Sequence, residues 1–429
     1  MLTQTERTLL KHVDRERLVE SCAELVRTPT VNLYSGDRNP PGELAGQLIV
    51  ERTLQQLGAR TERVECPEDI LGQNGVLGPS GRIRAGRPNI IGTLPFGSGG
   101  GPTLLIDAHM DTVAVDHYDG DPFAGDVRDG CLWGRGTTDD KGGVAVMLEA
   151  VTALQNAQLD LNGNIVCCSV VEEECDGGGR GSMTCIDHLA KPDAAVVIDG
   201  SFGSLWNGCT GVVTAHVKVS GRAGHAAYGN SVNAIEKAVS LLNALRRFRE
   251  LRGDRPGDFN LGTFHAGDHP ANVPDEATFG MNIKTDIEDM QRGERECGLW
   301  SGKTVRNLFD QCIAEAVSGD EFFQESPPET SWVKDLPASL CRPEHRWVID
   351  SMEAAFEDVC SAKPSVTLLG GWGDIAHFLN SGIPSVGIGP GSPGVAHSAS
   401  ESVNIEHLHK TAEMLTLFIH RFFADNERH

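Results

Sequence analysis

Several apolar, strand-like runs of this chain end on a side chain able to ligate metal, and this pattern restricts its fold more than any other feature. Thr103-Leu-Leu-Ile-Asp-Ala-His109 closes on a histidine, and Ala194-Ala-Val-Val-Ile-Asp199 closes on an aspartate. Ile165-Val-Cys-Cys-Ser-Val-Val171 runs into Glu172, Glu173 and Glu174. Asp139 lies in the turn Gly134-Arg-Gly-Thr-Thr-Asp-Asp-Lys-Gly-Gly143, and His397 follows the run Ser385-Val-Gly-Ile-Gly389 after a loop. In open α/β sheets the chemistry gathers outside the carboxyl ends of parallel strands. Two histidines and several carboxylates converging there would make a hydrolytic metal site.

The order of elements fits that frame. Residues 14–28 and 42–57 have helical apolar spacing, 89–94 reads as a strand, and strand 103–107 precedes a helix over 142–155. Strands 164–171 and 194–199 follow. Such alternation predicts an α/β fold, with a mostly parallel sheet covered by helices on both faces. After residue 210 the pattern changes. Val213-Thr-Ala-His-Val-Lys-Val219 alternates apolar and polar residues, which predicts a half-exposed strand with His216 on the surface and an edge able to pair. With an amphipathic helix over 233–249 and a strand over 277–283, this stretch reads as an inserted smaller α+β domain. The expected division is 1–210 and 338–429 for the metal-binding catalytic domain and 211–337 for the insert.

Composition removes other classes. Acidic residues outnumber basic ones 60 to 37, for a formal charge of −23, which argues against nucleic-acid and membrane-surface binding. The twelve cysteines form no C-x-x-C pair, and Cys167 and Cys168 sit inside an apolar strand as small hydrophobes. With no apolar signal core at the start and no membrane-length run, a cytoplasmic, reduced protein is expected.

Each motif implies a chemical role. In His109-Met-Asp111 the carboxylate can accept the second imidazole N–H, which fixes the ring and raises its basicity. Three adjacent carboxylates at Glu172–Glu174 repel one another unless cations or protons intervene. One of them can bind metal while its neighbour acts as general base on a metal-held water. Asp139, among glycines, can bridge two metals. Mixed nitrogen and oxygen donors fit zinc, with manganese or cobalt also suitable.

The chain resembles the dinuclear zinc aminoacylase/carboxypeptidase family, which includes acetylornithine deacetylase, succinyl-diaminopimelate desuccinylase and glutamate carboxypeptidases. The resemblance runs in order through Asp107-Ala-His-Met-Asp-Thr112, Trp133-Gly-Arg-Gly-Thr-Thr-Asp-Asp-Lys-Gly142 and Val171-Glu-Glu-Glu-Cys175. It continues through Gly221-Arg-Ala-Gly-His-Ala226, Asn272-Val-Pro274, Gly387-Ile-Gly-Pro-Gly391 and His397-Ser-Ala-Ser-Glu401. It implies that His109 and Asp199 hold one metal, Glu174 and His397 the other, and that Asp139 bridges them. Glu173 would be the general base, and Asp111 would orient His109. A cis peptide between Asp139 and Asp140 is also implied.

By the same resemblance the insert is a lid and dimerisation domain, so a homodimer is expected and a larger assembly is compatible. His225 would donate a hydrogen bond to the developing oxyanion, often from the partner subunit. Asn272, Gly389 and Gly391 fall at substrate-contact positions. Lys284 stands where many relatives carry a carboxylate-binding arginine, and a second arginine common after Asp374 is replaced in Asp374-Ile-Ala-His377. The expected reaction is hydrolysis of an amide C–N bond in a small N-acyl amino acid, dipeptide or related amide by metal-bound hydroxide. Hydrolytic deamination of an activated aromatic amine or amidine, releasing ammonia, is the alternative. The segment 286–335, with Trp300 and Trp332, would reshape the pocket or enlarge the subunit contact.

Overall fold

Strand and helix alternate through the first 200 residues as the apolar periodicity requires, and the strands collect into one large sheet. The computed structural model describes all residues except 99, 228, 254–257, 393 and 427–429, and no side chains at 425 and 426. Among the described residues this sheet has nine strands. Its centre is parallel: Thr103–His109 lies between Gly163–Val170 and Ala194–Ile198, and Ser385–Ile388 pairs with the latter. One flank is antiparallel, with Arg60–Glu65 pairing to Pro88–Phe96, which then pairs to Gly163–Val170, whereas on the other Ser365–Leu369 runs parallel to Ser204–Cys209. On the other side Ser204–Cys209 meets both Ser385–Ile388 and the short Ser339–Leu340.

The central strands are apolar along their whole length because both faces are covered. Leu104, Ile106, Ile165, Cys167, Val196 and Ile198 face one core, which also takes Val144, Met147, Leu148 and Val151 of helix Lys141–Ala157. Leu105, Val166, Cys168, Ala195 and Val197 face a second, closed by Ile375, Phe378 and Leu379 of helix Ile375–Asn380. The predicted helices at 14–28 and 42–57 form as Arg15–Arg27 and Leu44–Gln56. Asp14 caps the first, its carboxylate accepting the N–H groups of Glu16 and Arg17.

Residues after 210 build a separate four-stranded antiparallel sheet. Gly211–Ser220 pairs with Glu276–Thr285 on one side and Glu329–Leu336 on the other, and Phe259–Ala266 forms an outer strand. The alternation at 213–219 is as expected: Val213, Ala215, Val217 and Val219 are buried and His216 is exposed. The strand is central, however, so its edge is not open for pairing. The return of the chain at 329–336, whose strand character the sequence reading missed, covers that edge. The outer strands of this sheet are Glu329–Leu336 and Phe259–Ala266, and the latter exposes Leu261 and Phe264.

The apolar face of this sheet has its own core, in which Val213, Val217, Leu241, Phe248, Phe279, Phe309 and Phe323 meet. Helices Ile287–Cys297, Lys303–Ser318 and Glu321–Glu325 fill most of the segment 286–335. Trp332 packs edge-on against Phe309 within this core, and the Trp300 indole N–H donates to the Ala338 carbonyl at 2.8 Å. Neither tryptophan lines the cleft described below, although Lys334 of this segment does, and helices Lys303–Ser318 and Glu321–Glu325 pack on the smaller sheet.

Candidate metal centre

His109 is the last residue of strand Thr103–His109, and Asp199 directly follows strand Ala194–Ile198. Because these strands are parallel neighbours, both side chains emerge at one edge of the sheet. Glu173 and Glu174 follow the adjacent strand Gly163–Val170 through a tight loop in which Glu172 has φ +68°. Asp139 stands at the start of helix Lys141–Ala157, and the peptide from Asp139 to Asp140 is cis, as the resemblance implied.

The structure brings all five expected ligands together in two clusters that share Asp139. His109, Asp139 and Asp199 form one, Asp139, Glu174 and His397 the other, and the candidate ligand atoms of each lie within 4.8 Å of one another. His109 Nε2 is 2.9 Å from Asp139 Oδ1 and 4.0 Å from Asp199 Oδ1. His397 Nε2 is 2.9 Å from Glu174 Oε1 and 3.0 Å from Asp139 Oδ2. Thus the two oxygens of Asp139 face different histidines, the disposition a bridging carboxylate needs. Two nitrogens and three carboxylates are a donor set suited to zinc, manganese or cobalt.

Crowding of carboxylates governs the electrostatics. Burial pushes the Glu174 carboxyl up to about 7, and Asp139 adds to the rise. Burial raises Asp199 well above the carboxylate range, again with Asp139 contributing. Asp139 itself is held low by hydrogen bonds from both histidines, against its burial. Hydrogen bonds to Asp139 and Glu174 raise the His397 imidazole to about 10. Such a site holds protons tightly where cations can replace them, so metal binding there would release protons. Glu173 is half-buried and opens on the same cleft; burial raises its carboxyl well above the usual range, with His109 opposing the rise.

Asp111 orients His109 by a different atom from the one expected. His109 Nδ1 donates to the backbone carbonyl of Asp111 at 2.9 Å, whereas the nearer carboxylate oxygen is 3.7 Å away. That carboxylate accepts instead from Asn32 Nδ2 at 2.8 Å and from the backbone N–H groups of Glu174 and Glu173 at 3.1 and 3.4 Å. It therefore ties the loop bearing Glu173 and Glu174 to the loop bearing His109.

Three further residues hold the centre without having been singled out as site residues. Glu401 Oε1 accepts the N–H groups of Gly136, Thr138 and Asp139 at 3.0–3.2 Å, and its other oxygen takes Arg135 Nη1 at 2.5 Å. Arg82 and Arg87 both ion-pair with Glu172. These guanidinium groups are the cations that the run of three glutamates required. The closing Glu401 of the motif at His397 was the one available sequence signal for the first. Nothing in the loop 68–87 announced the arginines.

A cleft of about 530 Å³ opens over the cluster, lined by Asp139, Glu173, Glu174, Asp199 and His397 at its base. Val212, Asn282, Lys334 and Leu336 line it from the smaller sheet and its connection. Lys284 is not among the lining residues; Asn282, two positions earlier on the same strand face, occupies that place. Gly389 and Gly391 are buried beneath the cleft. A Cβ at Gly389 would stand 2.0 Å from the Gly200 backbone, and one at Gly391 would be 2.8 Å from Thr138, so these glycines serve close backbone packing. His225 and Asn272 are paired in a short ribbon, Gly224–His225 with Asn272–Val273, and neither lines the cleft of its own chain.

An open α/β sheet carrying two imidazole–carboxylate clusters at its carboxyl edge defines a metallohydrolase architecture. Residues 105–421 match the model of peptidase family M20/M25/M40, and the chain belongs to that family, as a metal-dependent hydrolase acting on amide C–N bonds. It is 27% identical over 373 residues to the N-formyl-4-amino-5-aminomethyl-2-methylpyrimidine deformylase of Bacillus subtilis, covering 79% of this chain and 83% of that one. It is 26% identical over 304 residues to the succinyl-diaminopimelate desuccinylase of Sulfurimonas denitrificans, covering 67% and 76%. In fold it is similar to a dipeptidase of Saccharomyces cerevisiae, with TM-score 0.73, 14% identity and 99% coverage of both chains. A dinuclear metal-binding M20 peptidase of Bacillus subtilis superposes with TM-score 0.61 at 14% identity, over 96% of this chain and 98% of the other.

Proposed function

We propose that the protein hydrolyses the amide bond of a small N-acyl amine at a dinuclear zinc centre. His109 and Asp199 would hold one metal, Glu174 and His397 the other, with Asp139 between them. The observation that carries this reading is the sharing of Asp139 by two three-residue clusters, with Glu173 opening on the same cleft. When bound, such metals supply Lewis acidity toward a carbonyl oxygen and lower the pKa of water from about 15.7 to roughly 7.

The chain's own groups divide the remaining work. Glu173 would accept a proton at its carboxylate and return it to the leaving nitrogen. Asp111 and Asn32 would fix the loop that carries Glu173. His225 would act across a homodimer on the developing oxyanion, since it lies away from the cleft of its own chain. The outer strand Phe259–Ala266, with Leu261 and Phe264 exposed, supports association through the smaller unit.

We take residues 211–337 as that lid unit and 1–210 with 338–429 as the catalytic one. A reducing compartment, the cytoplasm, suits twelve free cysteines. Among the described residues, no helix is long and apolar enough to cross a membrane. A relative that is a deformylase and another that is a desuccinylase favour removal of an acyl group over the deamination alternative.

The test is a hydrolysis screen on chelator-stripped protein reloaded with zinc, manganese or cobalt. Metal-dependent release of a carboxylate and an amine, lost in Glu173→Ala, is the expected result. Ammonia with a hydroxylated product would overturn it.

A further inference from the structure

The walls of the cleft are distinct from its base, and they carry information about the substrate. Trp206, Trp372, Leu336 and Leu369 line it as apolar surface. Trp372 is held at two points: its indole N–H donates to the Pro337 carbonyl at 3.2 Å, and its ring meets His377 edge-on at 5.1 Å. Trp206 lies over Gly387, where a Cβ would come within 2.9 Å of the indole. Both indoles are thus held in place, Trp206 buried and Trp372 half-buried, and the more open Trp372 suits a planar ring.

Charge points the same way. No arginine lines the cleft among the described residues, and its one ammonium, Lys334, is ion-paired with Asp176. Five carboxylates line it: Asp139, Glu173, Glu174, Asp176 and Asp199. Two bound dications would offset four of them and Lys334 the fifth. No surplus positive charge is left to recruit an anion, and a carboxylate entering the cleft would lose its hydration without a free partner.

From this we infer that the substrate is an N-acyl amine bearing a flat aromatic or heteroaromatic ring and no carboxylate, with the ring seated on Trp372. The inference rests on the amide-hydrolase reading and names the substrate class for that site. Trp372 is its specificity-determining residue. The Asp176–Lys334 pair keeps the cleft closed to anions.

The test compares N-formylbenzylamine with N-formylphenylalanine, which adds an α-carboxylate to the same ring and acyl group, on metal-loaded enzyme. A preference in kcat/KM of about tenfold or more for the neutral compound is expected. Trp372→Ala should cut the preference for N-formylbenzylamine over ringless N-formylmethylamine about tenfold, mainly through KM, and Trp372→Phe should restore much of it. Asp176→Asn frees Lys334 and should raise kcat/KM for N-formylphenylalanine. A preference for the carboxylate compound, or a Trp372→Ala change that leaves the ringed-to-ringless ratio intact, would overturn the inference.

Binding of both compounds to metal-loaded Glu173→Gln, followed by tryptophan fluorescence and calorimetry, separates the two levels. If neither compound is cleaved but the neutral one still binds more tightly, amide hydrolysis fails and the cleft assignment stands. Equal binding of the two overturns the cleft assignment.

Discussion

Glu173→Gln removes a proton carrier and leaves every proposed metal ligand in place. We expect kcat to fall by about 10²–10⁴ with bound metal unchanged, read by steady-state kinetics and elemental analysis of the same sample. Glu401 acts one layer further out. Glu401→Gln weakens its hold on Arg135 and on the backbone of Gly136, Thr138 and Asp139. Metal affinity should drop about 10–100-fold, measured by competition with a chromogenic chelator. His377 gives a pH signature of its own. Burial lowers its imidazole to about 4, and its Nε2 lies 2.9 Å from the Gly178 carbonyl oxygen. Its folded pKa is therefore below the unfolded value of about 6.5, and the unfolded chain binds more protons between the two. This contribution is present above about pH 6.5 and is lost toward pH 4, amounting to about 3 kcal/mol at most. Urea unfolding at pH 7 and 4.5 should show a smaller pH difference in His377→Gln than in the wild type. His109, Glu174 and Asp199 were legible in the sequence because each stands just past an apolar run, whereas Asp139 and His397 were legible through the motifs around them. Arg82, Arg87 and Asn32 were not, because their role depends on loops that meet only after the sheet has formed.

Among elements, the central strands were the easiest to read, since burial on both faces leaves an uninterrupted apolar run. Strand Arg60–Glu65 was missed because its burial alternates only between exposed and intermediate, as expected at the border of a sheet. The three helices in 286–335 were missed for a related reason: their apolar faces serve a small separate core, and charged residues dominate the rest. The loop at Gly387-Ile-Gly-Pro-Gly391 carries a packing demand that its motif did not announce, beside the substrate contact expected of it. Gly389→Ala would force a Cβ against the Gly200 backbone at 2.0 Å. We expect a loss of about 1–3 kcal/mol or more, visible as a lower thermal midpoint in both metal-free and metal-loaded protein. A substrate-contact role alone would change KM and leave the midpoint unmoved.

For the whole molecule, metal binding and folding should be coupled, because the proposed ligands come from five separate segments. Chelation should lower the thermal midpoint and zinc should restore it. Free metal at a hundredfold excess over its Kd adds about 2.7 kcal/mol for each independent site. The two places where the chain passes between its large and small sheets have a consequence of another kind. Cys209 pairs with Ser339 and Gly208 with Leu340, and a Cβ on Gly211 would lie 2.6 Å from the Ala338 nitrogen. Departure and return are thus neighbouring rungs of one ladder, and everything between them hangs from the larger body as a cassette. Replacing that stretch with a tight turn would convert the two crossings into an ordinary hairpin. The shortened protein should still unfold cooperatively and bind metal while losing one wall of its cleft. A lineage could therefore exchange the cassette, and with it the choice of substrate, without rebuilding the chemistry beneath.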